Sequence, residues 1–216
     1  MSPFGLPLES LALFALAVLL LALTPGPVWI YLISRTLTQG RRAGYFSLIG
    51  VMAGVLVHLL AAALGLSALL LAVPAAFDAI KLAGAAYLLW LAWSTLRGGG
   101  FSFTPQPLSP VPDRVLFRQS LTASVVNPKV AVFYLSLFPQ FVDPSGGAVL
   151  LQSLVLGIVH VSVSTLVDGA LVTVAGALSV WLDRRPAWLR AQRWALGSAF
   201  GALAVWLALT PRHPAP

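Results

Sequence analysis

Two ionisable residues stand deep inside apolar stretches of this sequence. Lys129 is the sole charge between Arg118 and Asp143, and Asp168 the sole charge between Asp143 and Asp183. Each would be costly in hydrocarbon, by roughly 3 kcal/mol or more, unless paired or hydrated. Lys129 could hold a substrate carboxylate, pair with an acid, or snorkel to an interface. Asp168 could neutralise Lys129 or carry a proton, and the two roles are compatible. His58 and His160 follow Pro25 and Pro128 by 33 and 32 residues. Imidazole titrates near neutrality, so both are candidate carriers of a coupling proton or ion, with an interhelical hydrogen bond as the plainer role. Ser162, Ser164 and Thr165 could line a cavity near Asp168 or bond their own helix carbonyls. Two histidines and one aspartate form no compact ligand motif such as His-Glu-x-x-His, so neither a metal nor another cofactor is expected.

The elements that must position these residues follow from composition. Of 216 residues, 59% are hydrophobic and 9% charged, against roughly 25% charged in an average soluble domain. That is too little charge for a water-facing surface, and it makes the chain a polytopic membrane protein. The net charge of +7 does not imply nucleic acid, because ten of the 13 basic residues fall in three short connections and form no basic face interleaved with aromatics. Cysteine is absent, which excludes disulfides and thiol catalysis. Arginine outnumbers lysine 11 to 2, as in a GC-rich bacterial genome.

Charges are rare enough that the gaps between them outline helices. Glu9 and Arg35 bracket 25 uncharged residues, Arg42 and Asp78 bracket 35, and Arg193 and Arg212 bracket 18. A spanning helix needs about 20 apolar residues. The pattern predicts an all-α protein of six transmembrane helices, at about 8–34, 43–73, 78–97, 115–141, 148–182 and 192–210, with Lys81 snorkelling from the third. No positive charge precedes residue 35 and the first apolar run is long, which argues against a cleaved signal peptide. The basic connections hold Arg35, Arg41 and Arg42, then Arg97, Arg114 and Arg118, then Arg184, Arg185, Arg190 and Arg193. The positive-inside rule puts all three in the cytoplasm and both termini outside. Residues 98–114, rich in glycine and proline, form a linker between two halves, 1–97 and 115–216. With three helices each, the halves are inverted if they are copies. At an offset of 103 residues Pro25 meets Pro128, Gly54 meets Gly157 and Lys81 meets Arg184.

Each half opens with an interrupted helix. Thr24-Pro25-Gly26-Pro27 lies inside the first apolar run and Asn127-Pro128-Lys129 inside the fourth. Proline removes a backbone donor and clashes with a preceding carbonyl. Backbone freed in this way must face protein or a water-filled cavity. Paired interruptions in corresponding helices point to a transporter's central site, so all seven of these residues are candidate substrate contacts.

These motifs carry a resemblance. Together with Gly40-Arg41-Arg42-Ala43-Gly44, Lys81 with Gly84-Ala85-Ala86-Tyr87-Leu88, and Phe138-Pro139-Gln140-Phe141, they make the chain resemble the LysE/RhtB family of bacterial amino-acid exporters. The resemblance covers roughly residues 8–210. It implies a six-helix inner-membrane exporter of amino acids or related small metabolites, driven by an ion gradient. Where many members would carry asparagine after the second proline of the first motif, this chain has Val28.

Rival classes have less support. There is no G-x-S-x-G, P-loop or pair of buried acids for an intramembrane enzyme, and no repeated filter or ring of charge for a channel. A facilitator independent of any gradient is the main alternative to proton antiport. Gly50-x-x-x-Gly54 and Gly197-x-x-x-Gly201 suit close helix approach within the fold or in a homodimer. Tyr87, Trp90 and Trp93 suit an interface belt or a packing face. The arginine sorting predicts that reporter fusions at Gly99 and at the C-terminus lie on opposite sides of the membrane; both on one side would remove the inverted arrangement.

Overall fold

A computed structural model describes residues 6–72, 82, 85–86, 89–90, 92–93, 96–97, 108–143, 149–183 and 186–209. Everything regular among them is helical. In chain order the helices are α1 (Leu8–Leu23), α2 (Pro27–Ala72), α3 (Asp113–Val125), α4 (Pro128–Val132), α5 (Val149–Asp183) and α6 (Pro186–Leu209). The described positions from 82 to 96 are helical too. Lys81, Asp78, Tyr87, Arg184, Arg185, most of the linker and both chain ends lie outside the described residues.

Prolines set the helix starts. Pro7 and Pro112 immediately precede α1 and α3, while Pro27, Pro128 and Pro186 are the first residues of α2, α4 and α6. A proline in the first turn gives up a donor that would be unpaired there anyway, and its fixed φ suits the helix. α2 is two helices joined at Gly40, whose φ of 83° and ψ of 172° fall in a region open essentially to glycine alone. The connection that carries Arg35, Arg41 and Arg42 is therefore a one-residue joint between helical segments. The fourth apolar run is equally irregular. After α4 the chain widens into a π-helix, Phe133–Leu137, and tightens into a 3-10 turn, Phe138–Phe141. Pro139 cannot donate to the carbonyl one turn back, which accounts for the change of winding at that point.

α2 packs against α3 and α5, and α1 against α5. Gly50 and Gly54 are the reason α2 and α3 lie close. A Cβ on Gly50 would overlap the Ser120 side chain and the Phe117 carbonyl, and one on Gly54 would overlap Ser124. Ser124 Oγ also donates to the Val51 carbonyl at 3.0 Å. Gly197 sits against Leu96 in the same way. Both small-residue motifs thus place a glycine on a packing face within one chain. Two described helices carry apolar stripes on the outer surface. Ile49, Leu56, Leu60 and Leu64 of α2, and Leu151, Leu154 and Ile158 of α5, are exposed along single helix faces. Such stripes would aggregate in water and suit lipid. Two described helical stretches, Pro27–Gly65 and Val149–Ala177, are long and apolar enough to cross a membrane, and the pair Asp113–Val125 and Pro128–Phe141, bent by 48°, adds a third if counted as one span.

A leucine at position 50 has no space to enter. Gly50→Leu is expected to destabilise the fold by about 3 kcal/mol or more, whereas Gly169→Ala, whose new methyl would sit 3.8 Å from Leu48, gains about 1 kcal/mol of helix propensity. Thermal unfolding in detergent, followed by size exclusion, checks both directions.

Candidate functional site

The two interruptions meet. α1 ends at Leu23, and Thr24 turns out of the helix with ψ 117°. Its hydroxyl donates back to the Leu20 carbonyl at 2.7 Å. Pro25 and Pro27 have no N–H, so carbonyls at the end of α1 lack their usual donors. Lys129 reaches across from the second interruption to supply them. Its Nζ donates to the Leu21 carbonyl at 2.9 Å and to the Thr24 carbonyl at 2.8 Å. A cation at a helix C-terminus is also favoured by the helix dipole. Gly26 faces the same ammonium, since a Cβ built there would lie 3.6 Å from Nζ.

Asn127 organises its own side of the site. It is 3% exposed, and its Oδ1 accepts from the Lys129 N–H at 3.0 Å, capping the short α4. The cap fixes the direction in which the Lys129 side chain leaves the backbone. Pro128, by contrast, is exposed and contributes the turn rather than a wall.

A cavity of about 40 Å³ lies beside the two interruptions, lined by Ser124, Asn127, Lys129, His160, Ser164 and Asp168 among polar residues. It offers room for a few waters, at roughly 10–15 Å³ each. The remaining lining is apolar, including Val28, Trp29, Met52 and Val55. Val28 therefore presents a methyl-bearing wall at the start of α2. Lys129 and Asp168 share this cavity and lie within electrostatic reach of one another, but no ion pair joins them; the ion pair among the described residues is Arg42–Asp113. The direct pairing anticipated as one use of Lys129 is replaced by the two carbonyl contacts, because the broken α1 provides acceptors at closer range. Ammonium has three donors, so one N–H of Lys129 remains without a protein acceptor. Asp168 is 6% exposed, with Oδ1 unpartnered.

His58 and His160 belong to an aromatic layer next to the cavity. The Tyr134 ring stacks on both, with centroids 5.9 Å from His58 and 5.1 Å from His160 and interplanar angles of 10° and 6°. Phe133 meets His160 edge-on at 5.2 Å, and Phe14 packs on Phe133, Phe138 and Phe141. His58 Nε2, Tyr134 Oη and His160 Nδ1 are buried and unpartnered. Only His160 of the three lines the cavity. Tyr134 escaped the sequence reading, because a tyrosine within an apolar run carries no mark of its own. The available signal was Pro139, which forces the wide turn that swings Tyr134 between the imidazoles. Ser164 lines the cavity, while Ser162 and Thr165 point outward. No group of three or more metal-ligating side chains occurs among the described residues.

The chain matches the LysE type translocator family over residues 19–210. It is 34% identical over 199 residues to a membrane protein of Pseudomonas aeruginosa of no stated activity, covering 90% of this chain and 89% of that protein. It is 32% identical over 195 residues to the homoserine/homoserine lactone efflux protein of Salmonella typhi, covering 90% and 93%. It is 34% identical over 127 residues to the leucine efflux protein of Klebsiella pneumoniae, covering 56% and 58%. No solved structure matches it.

Removing the Lys129 ammonium takes a charged donor from two carbonyls, leaving the Leu21 carbonyl with only the Thr24 N–H at 3.2 Å. Lys129→Met is expected to destabilise the protein by on the order of 2 kcal/mol, read as a lower unfolding midpoint in detergent. Asp168→Asn, which breaks no ion pair, should shift the midpoint less. Equal losses from the two substitutions, suppressed in the double variant, would instead reveal a dominant ion pair.

Proposed function

The chain belongs to the LysE-type translocators, a family with amino-acid efflux members, and we propose that it is a secondary transporter that exports amino acids by proton antiport. One observation carries the reading: a cation with a spare donor and a carboxylate with a spare acceptor share one small cavity at two meeting helix interruptions. An amino acid is the complementary object, with its carboxylate directed to Lys129 and its ammonium to Asp168. The backbone around Thr24, Pro25, Gly26, Pro27, Asn127 and Pro128 completes the enclosure. The scheme assumes six spans in two inverted halves, in a bacterial inner membrane with both termini outside, and the halves rock about the interruptions. A homodimer is compatible with it but not required.

Coupling follows from Asp168. Ionised, it holds the substrate ammonium arriving from the cytoplasm. A proton entering from outside neutralises it, the ammonium loses its partner, and the substrate leaves outward. The proton is then surrendered to the cytoplasm and the cycle repeats. The membrane potential supplies about 2.3 kcal/mol per charge per 100 mV, enough for roughly a fiftyfold gradient. His58 and His160 are the reserve carriers, placed on either side of Tyr134.

The test uses purified protein in liposomes with leucine or homoserine trapped inside. An inward proton gradient should accelerate efflux at least several-fold, and Asp168→Asn should remove that acceleration while leaving slow exchange. Efflux indifferent to both pH gradient and potential would identify a facilitator and end the antiport scheme.

A further inference from the structure

A second cation, outside the lining of the central cavity, is buried in the first segment of α2. Arg35 is 4% exposed, and its guanidinium meets only neutral acceptors. Nη1 donates to Gln39 Oε1 at 3.1 Å and to the Ser109 carbonyl at 2.9 Å, and Nη2 donates to Gln119 Oε1 at 2.8 Å. The guanidinium also lies 5.5 Å from the centre of the Tyr31 ring. Nε–H is buried with no acceptor at all. Among the described residues no carboxylate pairs with Arg35. The nearby Arg42–Asp113 pair is on the surface, with side chains 78% and 40% exposed. A buried cation without a counter-ion is an exception that calls for a ligand.

The neutral acceptors around Arg35 do more than solvate it. Gln39 Nε2 donates to the Val111 carbonyl at 2.9 Å, and the Val111 N–H donates to Gln39 Oε1 at 3.1 Å. Tyr31 Oη lies 3.3 Å from Gln119 Oε1 and 3.4 Å from the Leu116 carbonyl. These bonds fasten residues 31–39 to the linker at Ser109 and Val111, and to the second half at Leu116 and Gln119. Gln119 Oε1 accepts from both Arg35 and Tyr31, so it is the shared knot.

We propose that Arg35 is a carboxylate-binding site, where a departing amino acid docks before it reaches the central cavity, and that docking unties this fastening. A carboxylate matches the planar fork of a guanidinium and forms charge-assisted bonds about twice as strong as those to a neutral amide. It would displace Gln119 and satisfy Nε–H at the same time. With Gln119 released, Tyr31 keeps only the 3.4 Å contact to the Leu116 carbonyl as its tie to the second half, and the halves part more readily at this end. The identity of the carboxylate's bearer, and the cytoplasmic side of its approach, rest on the function proposed above. The site itself rests on the geometry of Arg35.

The chain has no cysteine, so a spin-label pair at Arg41→Cys and Arg118→Cys, both exposed positions, reports the fastening to the second half in lipid nanodiscs. Leucine and acetate are expected to move the label distance distribution to longer values, and leucinamide, which lacks the carboxylate, is not. The response should persist in Lys129→Met and vanish in Arg35→Gln. Arg35→Lys, which keeps the charge but loses the fork, should need at least tenfold more acetate. If Arg35→Gln does not fold, Gln119→Leu serves instead: with the shared acceptor gone, the labels should sit at the longer distance without acetate and acetate should add no further shift, whereas the short parent distance in that variant would overturn the proposal. No shift in the parent protein, a shift lost with Lys129, or a shift retained in Arg35→Gln would each overturn the proposal. The distances require no transport. A chain that responds to acetate yet exports no amino acid keeps this site and loses the efflux reading, while export without response removes the site alone.

Discussion

The ammonium of Lys129 on the carbonyls of Leu21 and Thr24 is the contact on which the rest of the architecture depends. Hydrocarbon cannot hydrogen-bond, so every polar group freed by a broken helix must be answered from within the protein. The first interruption frees acceptors, and the second delivers a donor. Neither is tolerable alone: an unanswered carbonyl and an unanswered ammonium are both expensive in lipid. Joined, they fix the two interruptions face to face and leave a small polar cavity in an otherwise apolar interior. Helix packing then has to respect that junction. The Gly50 and Gly54 face lets α3 approach α2 closely enough for Ser124 and Asn127 to reach the same cavity.

Around the junction two kinds of contact hold the chain together. The aromatic layer of Phe14, Phe133, Tyr134, Phe138, His58 and His160 depends on dispersion and ring stacking. The contacts of Arg35, Gln39, Tyr31 and Gln119 are directional hydrogen bonds. Layers of the first kind lose contact gradually as rings slide, since each atomic contact is weak. Networks of the second kind yield to a competitor with better geometry or charge. A chain held by both kinds of contact can yield at one place without yielding at the other.

Much of this was legible in the sequence because charge and proline are scarce where they matter. Lys129 and Asp168 stood out in long neutral runs, and Thr24-Pro25-Gly26-Pro27 and Asn127-Pro128-Lys129 announced where helices had to stop. The all-helical membrane class followed from 9% charge. What was not legible depended on three-dimensional alternatives. A lone acid and a lone base suggest a pair, but a sequence does not show that an interrupted helix has placed two carbonyls nearer. Arg35 read as a topological marker in a connection, because no feature of the residue itself distinguishes a buried arginine from a solvated one. Its polar neighbours Tyr31 and Gln39 recur four residues to either side, on one helical face, and that spacing was the missed clue. Tyr134 could be found only by following Pro139 back through the altered winding.

Gly40 brings in handedness. Its backbone, at φ 83° and ψ 172°, is the mirror image of an extended conformation that every L-residue adopts freely. Nothing described lies within 4 Å of a Cβ built there, so sterics with neighbours play no part in the choice of residue. The constraint is purely one of chirality. An alanine of the natural hand would be strained at this joint, whereas its enantiomer would fit without distortion and would reduce the freedom of the unfolded chain. Position 40 is thus occupied by the single achiral amino acid because the backbone there calls for a residue of the opposite hand, which the ribosome does not supply.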